Sequence, residues 1–302
     1  MKLFIALLAA AFAFNPARAE PISAPSFEVR ILRDQQYREL GAGETTAGKN
    51  QLDLYLPEGA KDFPVVMLVH GGAWVFGGKS FDNVPGLGRA LAKQGIGAVG
   101  VNYRLSPGVQ HPGHIRDVAD AFAWVHKNIA QYGGRGERIS VMGHSAGGHL
   151  VALLGADESH LKRVGLSRQN VQCVIGVSGV YQISDVALNM GRRRQSEDGK
   201  ISKSQFEMIF GSEKDAGKQA SPLAHVNEGL PPYLLIYAED DLPTLGLQAM
   251  AFNAALRSKE IDSTLLKVER RNHVTVMWKA SLPADPVLTA ATALVRRTMG
   301  KE

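Results

Sequence analysis

From about residue 50 onward, short apolar runs alternate with amphipathic stretches, and the two have different periods. Gln51 to Leu56 alternates apolar and polar side chains with period two, as a half-covered strand does. Phe63 to Val69 is continuously apolar, as a strand covered on both faces is. Gly95 to Val101, Ile139 to Met142, Val171 to Val177, Tyr233 to Tyr237 and Thr264 to Val268 repeat that character. Between them, Asn83 to Gln94, Ile115 to Gln131, Leu247 to Arg257 and Asp285 to Met299 carry helical amphipathic patterns. This is the strand–helix rhythm of an α/β fold with a mostly parallel central sheet and helices on both faces.

The rhythm breaks once, between about Ile183 and Leu230. That stretch is polar, glycine-bearing and only patchily helical, for example over Ser202 to Phe210. It is too long for an ordinary connection of a few residues. It reads as a cap-like insertion above the sheet, within a single domain spanning 20–302. The basic run Arg192-Arg193-Arg194 inside it is bracketed by Ser196, Glu197 and Asp198, which suits a solvated loop.

The first residues follow another pattern. Lys2 precedes the apolar core Leu3 to Phe14, and Ala17-Arg18-Ala19 stands ahead of Glu20. A charged start, a short apolar core and small residues at the end make residues 1–19 an expected export signal. The core is too short for a membrane-spanning helix, which needs about 20 residues. The mature chain is therefore expected to be exported, periplasmic or secreted, with no stable membrane association.

Loss of that segment would remove Lys2 and Arg18, lowering the formal charge from +5 to +3. So mild a charge gives no reason to expect nucleic-acid binding. The single cysteine, Cys173, lies inside an apolar run and reads as a core residue. With no internal disulfide available, the hydrophobic core must supply stability, and 45% hydrophobic residues are enough for one α/β domain.

The candidate chemistry centres on Ser145, in Gly143-His144-Ser145-Ala146-Gly147, between an apolar run and an apolar helical stretch. A sharp strand-to-helix turn lifts its serine clear of the sheet, and flanking glycines avoid collision with the neighbouring strand and helix. Such a serine needs a base, usually an imidazole. Of nine histidines, only His273 lies beyond the last acid cluster that ends a strand. The charged segment Glu269-Arg270-Arg271-Asn272, read as a turn, leads into it. The acid belongs after Tyr233 to Tyr237, where Ala238-Glu239-Asp240-Asp241 offers three carboxylates. Asp241, three residues after the small residue that ends the strand, is selected because the loop can turn back from there; Asp240 is the alternative.

Negative charge building on an attacked carbonyl oxygen needs fixed donors. Ala146 N–H, directly after the serine, is one. His70-Gly71-Gly72-Ala73-Trp74 follows an apolar strand, and Gly72 and Ala73 are the chosen partners; His70 reads as a brace for this loop.

Taken together, His-Gly-Gly-Ala-Trp, Gly-His-Ser-Ala-Gly-Gly-His-Leu, Tyr103-Arg104-Leu105-Ser106-Pro107 and Ser221-Pro222-Leu223 resemble an α/β-hydrolase fold serine esterase. The likeness is greatest to hormone-sensitive-lipase-like carboxylesterases and the related prenylcysteine-esterase and kynurenine-formamidase groups, over about residues 50 to 298. The departure is Ala73, where many lipase-like members have a third glycine. The resemblance implies a carboxylesterase acting on a small-molecule ester through Ser145, Asp241 and His273, with oxyanion donors Gly72, Ala73 and Ala146. An aryl formamidase or amidase and a non-catalytic binding protein on the same fold are the other readings. Degenerate binding proteins typically lose one of the three reacting residues, and all three are present here.

No cofactor or metal is expected. Gly43 to Lys49 has the spacing of a phosphate loop, but Asn50 replaces the hydroxyl residue and a strand follows instead of a helix. His111 and His114 flank Pro112-Gly113 in an expected loop, and His144 and His149 read as shape-filling or capping residues. The modest insertion, with Trp74 and Phe76 after the oxyanion glycines, suggests a short acyl cleft.

Overall fold

The computed structural model describes residues 26–40, 48–183 and 204–299. The export segment, the start of the phosphate-loop-like stretch and the Arg192–Arg194 run lie outside the described residues. Eight strands form one sheet in the order β1-β2-β4-β3-β5-β6-β7-β8. They are β1 (Val29–Gln36), β2 (Gln51–Pro57), β3 (Val65–Val69), β4 (Gly97–Val101), β5 (Ile139–His144), β6 (Val171–Val177), β7 (Tyr233–Asp240) and β8 (Ser263–Asn272). From β4 through β8 every pairing is parallel, whereas β1–β2 and β2–β4 are antiparallel.

The longer helices are α1 (Val84–Lys93), α2 (Gly113–Asn128), α3 (Ala146–Ala156), α7 (Leu245–Ser258) and α9 (Pro286–Met299). Shorter ones are α4 (Ser159–Lys162), α5 (Gln205–Phe210), α6 (Ala216–Gln219) and α8 (Thr275–Trp278). Alternation along the continuously apolar strands divides the core in two. Val65, Met67 and Val69 of β3 face a cluster built with α2, α3 and α7. Val66 and Leu68 face another, built with α1, α8 and α9. A strand with both faces covered has no polar face to show, which explains its unbroken apolar sequence.

Four elements differ from the sequence reading. β2, read as half covered, is buried from Leu52 to Pro57, because Asp53 is bonded by Lys79 and Tyr55 packs with the residues of α1. β1 carries half-exposed side chains at the sheet edge and has too little apolar pattern to be read as a strand. β8 continues through Glu269-Arg270-Arg271-Asn272, because at the opposite edge its alternate charged side chains stand in solvent while the backbone still pairs with β7. His114 lies not in a loop but in the first turn of α2, buried, with Nε2 3.0 Å from Ser106 Oγ.

The described part of the insertion holds two short helices. α5 opens on a reciprocal cap: Ser204 Oγ accepts from Glu207 N–H, and the Glu207 carboxylate accepts from Ser204 N–H. The remainder is anchored where Leu223 N–H donates to the Tyr181 carbonyl and Ser221 Oγ accepts from Ile183 N–H.

The two-sided burial of β3 makes it the mechanical centre of the sheet. Leu68→Ala, at a side chain 1% exposed, should lower the unfolding free energy by about 2–5 kcal/mol through lost burial and a residual cavity. Urea denaturation should show this as a lower midpoint at unchanged slope.

Candidate active site

Five strand ends meet at one edge of the sheet. Ser145 follows β5, Gly71 to Ala73 follow β3, Ser178 follows β6, Asp241 follows β7 and His273 follows β8. These are carboxyl ends of parallel strands, where open α/β sheets place their ligands.

Ser145 has φ 53° and ψ −118°, a conformation a non-glycine residue rarely holds. Its own N–H donates to the Val177 carbonyl at 2.9 Å, and its carbonyl accepts from His149 N–H at 3.0 Å. At Gly147 a Cβ would overlap the main-chain oxygens of Val69 and His70, so the elbow can pack on β3 only if this residue is glycine.

The serine Oγ lies 3.0 Å from His273 Nε2, and His273 Nδ1 lies 2.7 Å from Asp241 Oδ1. Asp241, not Asp240, therefore meets the imidazole. The three-residue offset has a local cause: Ala238 N–H donates back to Asp241 Oδ2 at 3.0 Å, closing the turn that aims the carboxylate. Ser178 Oγ donates to the same oxygen at 2.6 Å, and Leu242 N–H donates to Oδ1 at 2.8 Å. Burial works to raise the Asp241 carboxyl, but the bonds from His273, Ser178 and Ala238 outweigh it and hold it below the usual carboxylate range. The carboxylate is thus ionised and accepts the Nδ1 proton, leaving Nε2 free to accept from the serine hydroxyl. Ser178 escaped the sequence reading. Its only signal is position, a hydroxyl residue at the end of a strand beside the acid-bearing one.

The loop after β3 turns through Gly72 at φ +107°, Ala73 at φ 48° and Trp74 at φ 61°. A Cβ at Gly72 would overlap the Phe76 carbonyl, so the tight turn requires glycine there. The N–H groups of Gly72 and Ala73 take no backbone partner among the described residues. Ala146 is the first residue of α3, where an N–H has no partner within its helix. A Cβ on Gly71 would come within 3.2 Å of Ser145 Cβ, so the loop after β3 passes beside the serine.

His70 stacks on Tyr103 at 4.3 Å, and its Nδ1 donates to the Gly71 carbonyl at 2.7 Å. Burial lowers its pKa to about 4, so it braces the loop as a neutral ring. His149 has a different task. Its Nδ1 accepts from Trp74 Nε1 at 3.2 Å, while its Nε2 donates to the Ala220 carbonyl at 2.7 Å. One acceptor and one donor require the neutral ring, and burial lowers its pKa to about 3. His149 therefore ties the loop after β3 to the insertion rather than capping a helix.

Trp74 is 2% exposed and packs edge-on against His149 and Phe210, both at 5.1 Å between ring centres. This corrects the expectation that Trp74 bounds an open cleft; its indole is directed into the core by the His149 bond. Phe76 is 53% exposed and packs against Phe81. A separate surface cavity of about 840 Å³, bordered by Pro57 to Asp62 and Ala130 to Gly134, lies at the amino ends of β3 and β5, away from Ser145. Among the described residues, no group of three or more His, Cys, Asp or Glu side chains could hold a metal ion. Nor, among them, is any helix long and apolar enough to cross a membrane.

Strand order, the strained serine turn and the single reactive edge define an α/β-hydrolase fold. The BD-FAE family model matches residues 52–256, and the chain belongs to that family. Esterase LipQ of Mycobacterium tuberculosis is 34% identical over 64% of this chain and 46% of its own length. The isoprenylcysteine alpha-carbonyl methylesterase ICME of Arabidopsis thaliana is 30% identical over 78% of this chain and 56% of its own. The chain thus spans about half the length of these relatives. A truncated form of a carbohydrate esterase from gut microbiota has the same fold, with a TM-score of 0.71 at 19% identity, covering 93% of this chain and 99% of that one. Esterase B from Lactobacillus Rhamnosis gives a TM-score of 0.70 at 22% identity, covering 90% of this chain and 85% of that one.

The neutral buried histidines set a pH dependence of stability. At His149 the folded value of about 3 lies below the ordinary imidazole value of 6.5, so below pH 6.5 the unfolded chain binds a proton that the folded one does not. Its contribution is present above pH 6.5 and is lost as pH falls toward 3. His70, His111 and His114 are shifted in the same direction by burial. His149→Gln should therefore shallow the fall in unfolding free energy between about pH 6 and pH 5 by about 1 kcal/mol. Urea titrations of both proteins at the two pH values measure it.

Proposed function

We propose that this protein hydrolyses carboxylic esters through an acyl-enzyme on Ser145. The observation that carries this reading is the unbroken line from Ser145 Oγ through His273 to Asp241, with separations of 3.0 and 2.7 Å. The naming of its relatives and fold neighbours as esterases supports it.

In the first half-reaction His273 Nε2 takes the hydroxyl proton as Ser145 Oγ bonds to the ester carbonyl carbon. The carbonyl electrons move onto oxygen, and the N–H groups of Gly72, Ala73 and Ala146 meet that charge. Asp241 stabilises the imidazolium and keeps its ring oriented. The carbon–oxygen bond to the alcohol then breaks as His273 returns its proton to the leaving oxygen. Water, deprotonated by the same nitrogen, attacks the acyl-enzyme. The acid departs and Ser145 regains its proton.

We extend the proposal to small substrates with an apolar portion. Phe76, Phe81, Leu242, Val274 and Trp278 are exposed large apolar side chains on the segments that follow the site residues, Trp278 at the end of α8. The described helices of the insertion, α5 and α6, are only six and four residues long, too short to form an apolar interfacial face. The pattern of residues 1–19 supports export, with the reaction carried out in the periplasm or outside the cell.

Two measurements test this reading. Ser145→Ala should keep its fold and lose on the order of 10⁶ in kcat, and a paraoxon-like phosphonate should add its mass to the peptide carrying Ser145. Asp241→Asn should cost on the order of 10⁴, while Asp240→Asn stays within about a few-fold. Full activity in the serine variant, or labelling elsewhere, would refute the assignment.

The second measurement is a chain-length series of p-nitrophenyl esters, run beside an aryl formamide. Each methylene that finds no apolar cover forfeits about 0.8 kcal/mol. The expected kcat/KM is greatest for acyl groups of about two to six carbons and falls beyond about eight. A profile still rising at twelve carbons would contradict it, and faster turnover of the formamide would replace ester with amide hydrolysis.

A further inference from the structure

Behind the reacting histidine stands another imidazole. His144 ends β5 directly before Ser145 and is 4% exposed. Its ring centre lies 4.7 Å from that of His273. His144 Nδ1 is 2.6 Å from Asp82 Oδ2, and His144 Nε2 is 2.9 Å from the main-chain carbonyl oxygen of His273. Asp82, 8% exposed, lies between the loop after β3 and helix α1. The same Oδ2 atom accepts from Gly71 N–H at 3.0 Å. One carboxylate thus joins the loop bearing Gly72 and Ala73 to a ring that reaches the backbone of His273.

The protons can be counted. A carbonyl oxygen only accepts, so the hydrogen between Nε2 and His273 belongs to His144. Burial works to raise the Asp82 carboxyl, but the bonds from His144 and Gly71 outweigh it and hold it below the usual carboxylate range. An ionised carboxylate also only accepts, so the hydrogen on Nδ1 belongs to His144 too. A hydrogen thus stands at each ring nitrogen, one toward His273 and one toward Asp82. Around the His144 ring stand the carboxylates of Asp82 and, across His273, Asp241, together with the neutral ring of His70 and the ring of His273.

We propose that Asp82 and His144 form a second acid–imidazole pair that exchanges no proton with substrate and positions the reacting one. The inference rests on the Ser145–His273–Asp241 reading. Asp241 fixes the ring of His273 through its tip, and His144 fixes the backbone from which that ring hangs. Through Gly71, Asp82 sets the oxyanion donors in the same frame. Base and donors approach one carbonyl from different loops, and a misplacement of about 1 Å between them is enough to cost on the order of 10² in rate. Neither Asp82 nor His144 touches the reacting atoms, so both are positioning residues.

The experiment reads protonation and rate separately. In wild-type protein labelled with ¹⁵N at histidine and assigned through His144→Gln, both His144 ring nitrogens should show attached protons at about pH 7, where a neutral ring shows one. Asp82→Ala should lower kcat by on the order of 30- to 100-fold with KM changed less than about threefold. Asp82→Asn, whose amide oxygen can still accept from Gly71 and His144, should recover at least about fivefold of that loss. A purely structural role would lower Tm and leave the kcat of the folded variant alone. One protonated nitrogen on wild-type His144, or a folded Asp82→Ala with unchanged kcat, overturns the proposal; if that variant does not fold, the wild-type spectrum decides. Phosphonate labelling of the wild type separates this from the function assignment. Failure to label Ser145 refutes the acyl-enzyme and leaves the His144 spectrum as an independent result.

Discussion

The positive φ of Ser145 is the strained point on which the arrangement depends. Its backbone is held there by a bond to Val177 on one side and to His149 on the other, while Gly147 lets the turn press against β3. A non-glycine residue in that region costs on the order of 1–3 kcal/mol, which surrounding packing has to offset. Here the offset comes from a parallel sheet covered on both faces. The same strands, cut off at one edge, deliver the loops that carry His273, Asp241 and the oxyanion donors.

Three histidines around the serine meet three different sets of partners. His149 is neutral because it accepts from Trp74 and donates to Ala220. His70 is neutral because it is sealed against Tyr103 and keeps one donor toward Gly71. His144 meets the Asp82 carboxyl on one side and the His273 carbonyl on the other. The difference lies in what each ring nitrogen meets, not in depth, since all three are buried.

Much of the sheet was legible because buried parallel strands have to be largely apolar; β3 and β4 are so throughout, and β6 is but for Gln172, whose amide bonds to Val295 and Thr298. The edges were harder. β1 and the far end of β8 satisfy their backbones by pairing while their side chains meet water, so no apolar period marks them. The elbow at Ser145 and the glycine loop at Gly71 to Ala73 were legible because backbone geometry restricts which residues fit. Asp241 could be separated from Asp240 by counting from Ala238, and the structure supplies the cause in the bond from Ala238 N–H. Ser178 and Asp82 were not legible. Each acts through a contact between residues distant in sequence, Ser178 with Asp241 and Asp82 with His144, and neither sits in a motif. Trp74 was misplaced for a related reason: its partner, His149, arrives from another element.

The bridge through His149 has an evolutionary consequence. Its two bonds make Trp74 and Ala220 neighbours through one ring, with Phe210 of α5 packed on the same indole. A lineage that rebuilds the insertion so as to move these groups also disturbs the loop that carries Gly72 and Ala73. The insertion and the loop after β3 are therefore coupled through the Ala220 carbonyl and the Phe210 ring. Changes in the insertion that leave the Ala220 carbonyl and the Phe210 ring in place are neutral at the loop. Those that move either should recur together with compensating changes at Trp74 or His149.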